Sequence, residues 1–82
     1  MNSKHQKTWD AIFREPVRSD VRWSDVESLF RALGGDVSEG RGSRVRVRLG
    51  DNEAVFHRPH PKPETEKGAV KAVRRFLLAS GH

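Results

Sequence analysis

From Arg44 to Leu49 the chain reads Arg-Val-Arg-Val-Arg-Leu, an unbroken alternation of cationic and apolar side chains. Successive side chains of a strand point to opposite faces, so this run is a strand with Val45, Val47 and Leu49 in a core and three guanidinium groups in water. Gly50-Asp51-Asn52-Glu53 are turn formers, and Ala54-Val55-Phe56-His57 reads as the returning strand. With Asp51-Asn52 as a two-residue loop, Leu49 faces Ala54, Val47 faces Phe56 and Arg46 faces His57. That register gathers Arg44, Arg46, Arg48 and His57 on one face, and a one-residue slip would mix the apolar and cationic sets.

The partner of such a face is an anion. The chain carries a formal charge of +5, with 33% charged residues, which suits a polyanion and says nothing about fold. Arg41 and Arg58 stand at the ends of the alternating arginines. Parallel guanidinium groups repel unless anions lie between them, and a phosphodiester backbone supplies anions at that scale. Nucleic acid is therefore the leading candidate and an acidic protein the other. With no tyrosine, and no aromatic residue among the arginines, the pattern argues against readout of single strands by base stacking.

At 82 residues the chain has the length of one domain with a modest core. It contains no cysteine, which excludes a disulfide framework and cysteine-based zinc sites. No apolar run approaches membrane-spanning length and the polar N-terminus does not look like a signal peptide, so a cytoplasmic, membrane-free protein is expected. His57 and His60 form a histidine pair, but on a proline-flanked turn without nearby carboxylates. Neither a metal nor another cofactor is expected.

Along the chain, Trp9, Ile12 and Phe13 follow a helical spacing between Ser3 and Glu15, and Pro16 closes the segment. His5 lies one turn before Trp9, on the docking face of this helix. Residues 1–22 are this helix and a connector, and residues 23–82 form the remainder of a single globular unit. Ser24-Asp25-Val26-Glu27 has the form of a capping box ahead of Val26, Leu29, Phe30 and Leu33, and Gly34-Gly35 ends that helix. Asp36 to Ser38 is expected as a first strand and Glu39 to Gly42 as a turn. Pro59, Pro61 and Pro63 hold an extended segment, and Val70, Val73, Phe76 and Leu77 give a last helix from about Glu66 to Ala79 its apolar stripe. Lys67, Lys71, Arg74 and Arg75 crowd its other faces, with Lys67 and Lys71 the better candidates for phosphate contact. The expected fold is α+β, in the order α-α-β-β-β-α, with helices packed on one face of a three-stranded antiparallel sheet.

Over roughly Trp23 to Gly81 the chain resembles the HicA family of toxin–antitoxin systems. The matching features are the helix ending in Leu33-Gly34-Gly35, Gly42-Ser43 opening the second strand, and Pro59-His60 followed by Glu66-Lys67-Gly68. The resemblance implies a double-stranded-RNA-binding-domain-like fold. It also implies an mRNA-cleaving toxin that needs no metal, partnered by a HicB-type antitoxin that caps its basic face and makes any DNA contact. It points to His60, at a family-matched position, as a catalytic candidate, and the register that sets His57 opposite Arg46 on the exposed face makes His57 the other. Arg41, Ser43, Arg44, Arg46, Arg48, Arg58, Lys67 and Lys71 are the RNA-binding candidates. One position departs from the family. Most members carry a catalytic histidine after the Gly-Ser pair, where this chain has Arg44, and a guanidinium cannot act as a general base. Three outcomes stay open: cleavage through His57 or His60 with Arg44 holding the phosphate, RNA binding without cleavage, or a ribbon that serves a protein partner only.

Overall fold

A computed structural model describes residues 2–82. Its elements are α1 (Ser3–Phe13), β1 (Val21–Arg22), α2 (Trp23–Ala32), β2 (Asp36–Glu39), β3 (Arg44–Leu49), β4 (Asn52–His57), β5 (Glu64–Thr65) and α3 (Lys67–Ala79). The order of the three helices and the three-stranded antiparallel sheet β2-β3-β4 is the expected α-α-β-β-β-α. A second, two-stranded sheet, β1-β5, adds to this order. It is a two-residue antiparallel ladder, Val21 opposite Thr65 and Arg22 opposite Glu64. It is reinforced by the Trp23 amide donating to the Pro63 carbonyl at 3.0 Å. Strands this short carry no periodicity for a sequence pattern to expose.

The alternation in β3 is realised in full, since Val45, Val47 and Leu49 are buried and Arg44, Arg46 and Arg48 exposed. The hairpin register differs from expectation by two residues. Leu49 pairs with Asn52, Val47 with Ala54, Val45 with Phe56 and Arg44 with His57, so the loop is Gly50-Asp51. Gly50 has φ +59° while Asp51 is not in the left-handed region, the pattern of a type II′ turn, whose first central position requires glycine. A shift of two residues leaves every side chain on its face, so the hydrophobic pattern alone does not separate the two registers.

On the covered face, Trp23, Phe30, Phe56 and Phe76 meet with ring centroids 5.6–6.5 Å apart. This aromatic group joins α2, α3 and β4 at the centre of a core completed by Val26, Leu29, Val45, Val47, Val70, Val73 and Leu77. Ile12 of α1 is fully buried in the same core, and Trp9 lies half-buried with its ring 4.6 Å from Phe13. His5 of α1 hydrogen-bonds the Ser28 hydroxyl of α2 at 2.9 Å. Arg74 of α3 donates to the Ile12 and Arg14 carbonyls and to Glu15, and so satisfies acceptors that the end of α1 leaves open. Arg74 is thus a structural tie between α3 and α1.

The capping box does not form. Helix α2 begins at Trp23 with no side-chain cap, and the Glu27 carboxylate instead accepts from Trp23 Nε1 and Arg58. The other end behaves as expected. Gly34, at φ +86°, lets its own amide reach the Arg31 carbonyl and the Gly35 amide reach that of Phe30, a Schellman closure. Among the described residues no helix is long and apolar enough to cross a membrane.

Candidate nucleic-acid interface

The open face of the sheet is built by parity. Arg44, Arg46 and Arg48 of β3 share it with Glu53, Val55 and His57 of β4 and with Asp36 and Ser38 of β2. The arginine ladder is not uniform across this face. Arg48 pairs with Asp36 at 3.3 Å and Arg46 with Glu53 at 3.6 Å. The anions expected between the guanidinium groups are thus supplied, for two of the three arginines, by the neighbouring strands themselves. Arg44 has no carboxylate partner among the described residues and lies directly opposite His57. Both are exposed, so one end of the face is cationic and carries an imidazole, while the other end is internally neutralised.

The loop leading into β3 extends the cationic end. The Gly40 amide donates to the Arg44 carbonyl at 2.9 Å and the Arg44 amide to the Arg41 carbonyl at 3.1 Å. These bonds close a tight turn that leaves Arg41 and Ser43 exposed beside Arg44. Beyond β4, His57, His60 and Lys62 line a cleft of about 650 Å³ together with Glu64, Glu66 and Ala72. His57 is therefore the joint between the sheet face and the cleft, and His60 stands inside the cleft. Lys67 and Lys71 are exposed on α3 and do not line it. Lys62 and Glu64 have no motif in the sequence, and Glu66 figures there only in the Glu66-Lys67-Gly68 start of the last helix. They enter because the proline-rich segment folds back toward the start of α3, an arrangement with no local pattern.

Arg58 belongs elsewhere. It is two residues beyond Phe56 and so points to the helix-covered side of the sheet, away from the ladder. There its guanidinium forks between Glu27 of α2, at 2.8 and 3.2 Å, and Glu39 of β2, at 2.6 and 2.7 Å. Burial pushes the Glu27 carboxyl up, but the hydrogen bonds from Arg58 and Trp23 and the charges of Arg58 and Arg31 outweigh it and hold Glu27 below its ordinary value. The same carboxylates raise Arg58. With its donors committed to two carboxylates, Arg58 is a clamp between elements. Its amide also donates to the Ser43 carbonyl at 2.8 Å, which joins the end of β4 to the loop that carries Arg41 and Ser43. Among the described residues no group of three or more His, Cys, Asp or Glu side chains is placed to share a metal ion.

A protein-family model described as "HicA toxin of bacterial toxin-antitoxin" matches residues 23–77, more than half of the chain. The matched stretch opens at the first residue of α2 and leaves α1 outside. Comparison with curated proteins and with solved structures returned no match.

Proposed function

The chain belongs to the HicA toxin family, whose members are paired with an antitoxin, and from that premise we propose that it is an mRNA-cleaving endoribonuclease working without a metal. The observation that carries this reading is Arg44, without a carboxylate partner among the described residues, opposite His57 at the cationic end of the sheet. In this mechanism Arg44, with Arg41 and Ser43, binds the phosphate to be cut. The His57 imidazole takes the proton of the neighbouring 2′-hydroxyl. The 2′-oxygen attacks phosphorus, and Arg44 stabilises the added charge on the phosphoryl oxygens as the P–O5′ bond breaks. His60, in the adjoining cleft, protonates the departing 5′-oxygen. The products are a 2′,3′-cyclic phosphate and a 5′-hydroxyl, with all protons accounted for. Lys67 and Lys71 extend the binding footprint along α3. Arg46 and Arg48, already paired, contribute less.

The same premise supports an antitoxin of the HicB type that covers the cationic end and carries any DNA contact. A second reading rests on Arg44 itself. An arginine where most of the family has its catalytic histidine is suited to binding RNA without cutting it. Incubation of a long RNA with the purified protein and with His57→Ala, His60→Ala and Arg44→Ala separates the two. The enzyme reading predicts cleavage that falls by about 10²-fold or more in His57→Ala with RNA binding retained. A wild-type protein that binds RNA and leaves it intact establishes the binding-module reading instead.

A further inference from the structure

Strand β4 is the outer strand of its sheet, and its free edge is complementary to itself. The hydrogen bond from Arg58 to Ser43 marks one bonded pair of the β3-β4 ladder. Bonded and non-bonded pairs alternate in an antiparallel ladder, so the bonded ones continue through Val45-Phe56, Val47-Ala54 and Leu49-Asn52. The amides and carbonyls of Glu53, Val55 and His57 therefore point outward, and none of them has a hydrogen bond among the described residues. Side chains of these three residues lie on the open face. At their centre Val55 is 52% exposed, and among the described residues Leu78 on α3 is the other large apolar side chain left in water.

We infer that a second copy of this chain docks on this edge, β4 against β4 in antiparallel register about Val55, to form a two-fold dimer with a continuous six-stranded sheet. Centred there, Val55 meets Val55 of the partner subunit, and Glu53 meets His57 of the partner subunit on both sides of the axis. All outward amides and carbonyls of the three residues find partners, apolar faces apolar, and acid faces imidazole. Shifting the centre by one residue would set Val55 against Glu53 or His57. Strand β4 also lacks the proline, lysine and bulge that keep an edge from pairing.

The dimer has a consequence for the site. It sets a carboxylate from the partner beside each His57 and puts two Arg44–His57 pairs on one face. The association itself does not depend on any activity toward RNA and is measured without RNA.

Sedimentation velocity of the full chain over a micromolar-to-millimolar series is expected to show a species of twice the 9.3 kDa chain mass. Val55→Lys and Val55→Pro are expected to return it to monomer with the helical circular dichroism unchanged. Proline at 55 removes only an outward amide and leaves the β3 ladder intact. Because the chain has no native cysteine, Val55→Cys supplies a single thiol and is expected to give a disulfide-linked dimer on mild oxidation, while Leu78→Cys stays monomeric. A wild type that remains monomeric throughout, a dimer that survives both Val55→Lys and Val55→Pro, or cross-linking of Leu78→Cys equal to that of Val55→Cys each overturns the inference. If either substitution at Val55 fails to fold, the two cysteine variants decide.

Discussion

Arg58 shows how one side chain can set the surroundings of a site without joining it. Glu27 is almost fully buried, with its side chain 8% exposed, and Arg58 is the cation that compensates it. Neutralising Glu27 leaves Arg58 with Glu39 alone and removes the charged acceptor of Trp23 Nε1 beside the aromatic core. Because Arg58 keeps a third of its surface in water, the cost sits at the low end for such pairs, about 1–2 kcal/mol. Glu27→Gln is expected to lower the melting temperature by about 4–15 °C at neutral pH. The folded protein holds the Glu27 carboxyl below its ordinary value of 4.5. The contribution is therefore complete above that pH and lost as pH falls through the lower, folded value. Thermal melts between pH 7 and pH 3 should show the wild type and Glu27→Gln converging on the acid side, and a constant gap would contradict the assignment. That Arg58 faces the helices was legible in its parity with Phe56. Its partners were not, because Ser24 and Glu27 three residues apart also describe a capping box, and only the fold brings in the competing guanidinium.

At the scale of elements, the approach of α2 to the sheet hinges on Gly35. A methyl group there would stand 2.7 Å from Leu49 Cδ2, 2.9 Å from the Phe30 carbonyl oxygen and 3.2 Å from that of Arg48. Two of these neighbours are backbone and cannot rotate aside. Gly35→Ala is expected to cost about 1–3 kcal/mol, read as a lower urea midpoint with an unchanged slope; an unaltered midpoint would show that the helix end can yield. Helices α2 and α3 and strand β3 were legible because each has a long, single-period apolar pattern. The register of the hairpin was not. Alternation settles which face a residue occupies, and only the need of a type II′ turn for Gly50 selects Gly50-Asp51 over Asp51-Asn52 as the loop. That choice moves His57 from Arg46 to Arg44, the arginine with no carboxylate of its own.

At the scale of the whole molecule, the formal charge of +5 is distributed unevenly rather than spread along a ladder. Asp36, Glu39 and Glu53 neutralise one part of the strand cations, and Arg41, Arg44, Lys67 and Lys71 are left without a salt bridge among the described residues. Each phosphate neutralised on single-stranded RNA contributes about 0.7 to the slope of log affinity against log salt. Arg44→Ala should lower that slope by about this amount and Arg48→Ala by distinctly less, measured by fluorescence anisotropy across a salt series. Equal losses would mean that Asp36 gives up Arg48 when RNA binds. The cationic end and its two histidines were legible as residue types, whereas their separation from the neutralised end depends on cross-strand partners that a linear pattern does not contain. The central claim, that His57 and Arg44 direct a 2′-oxygen onto phosphorus, is tested most directly by the chemistry of the cut ends. An RNA substrate should be digested in EDTA by the wild-type protein and by His57→Ala, and the new termini identified by mass spectrometry. Cut ends with a 2′,3′-cyclic phosphate and a 5′-hydroxyl are expected with the wild type and are expected to be lost with His57→Ala. Cut ends bearing a 5′-phosphate, or cyclic phosphate ends produced equally by His57→Ala, would contradict that claim.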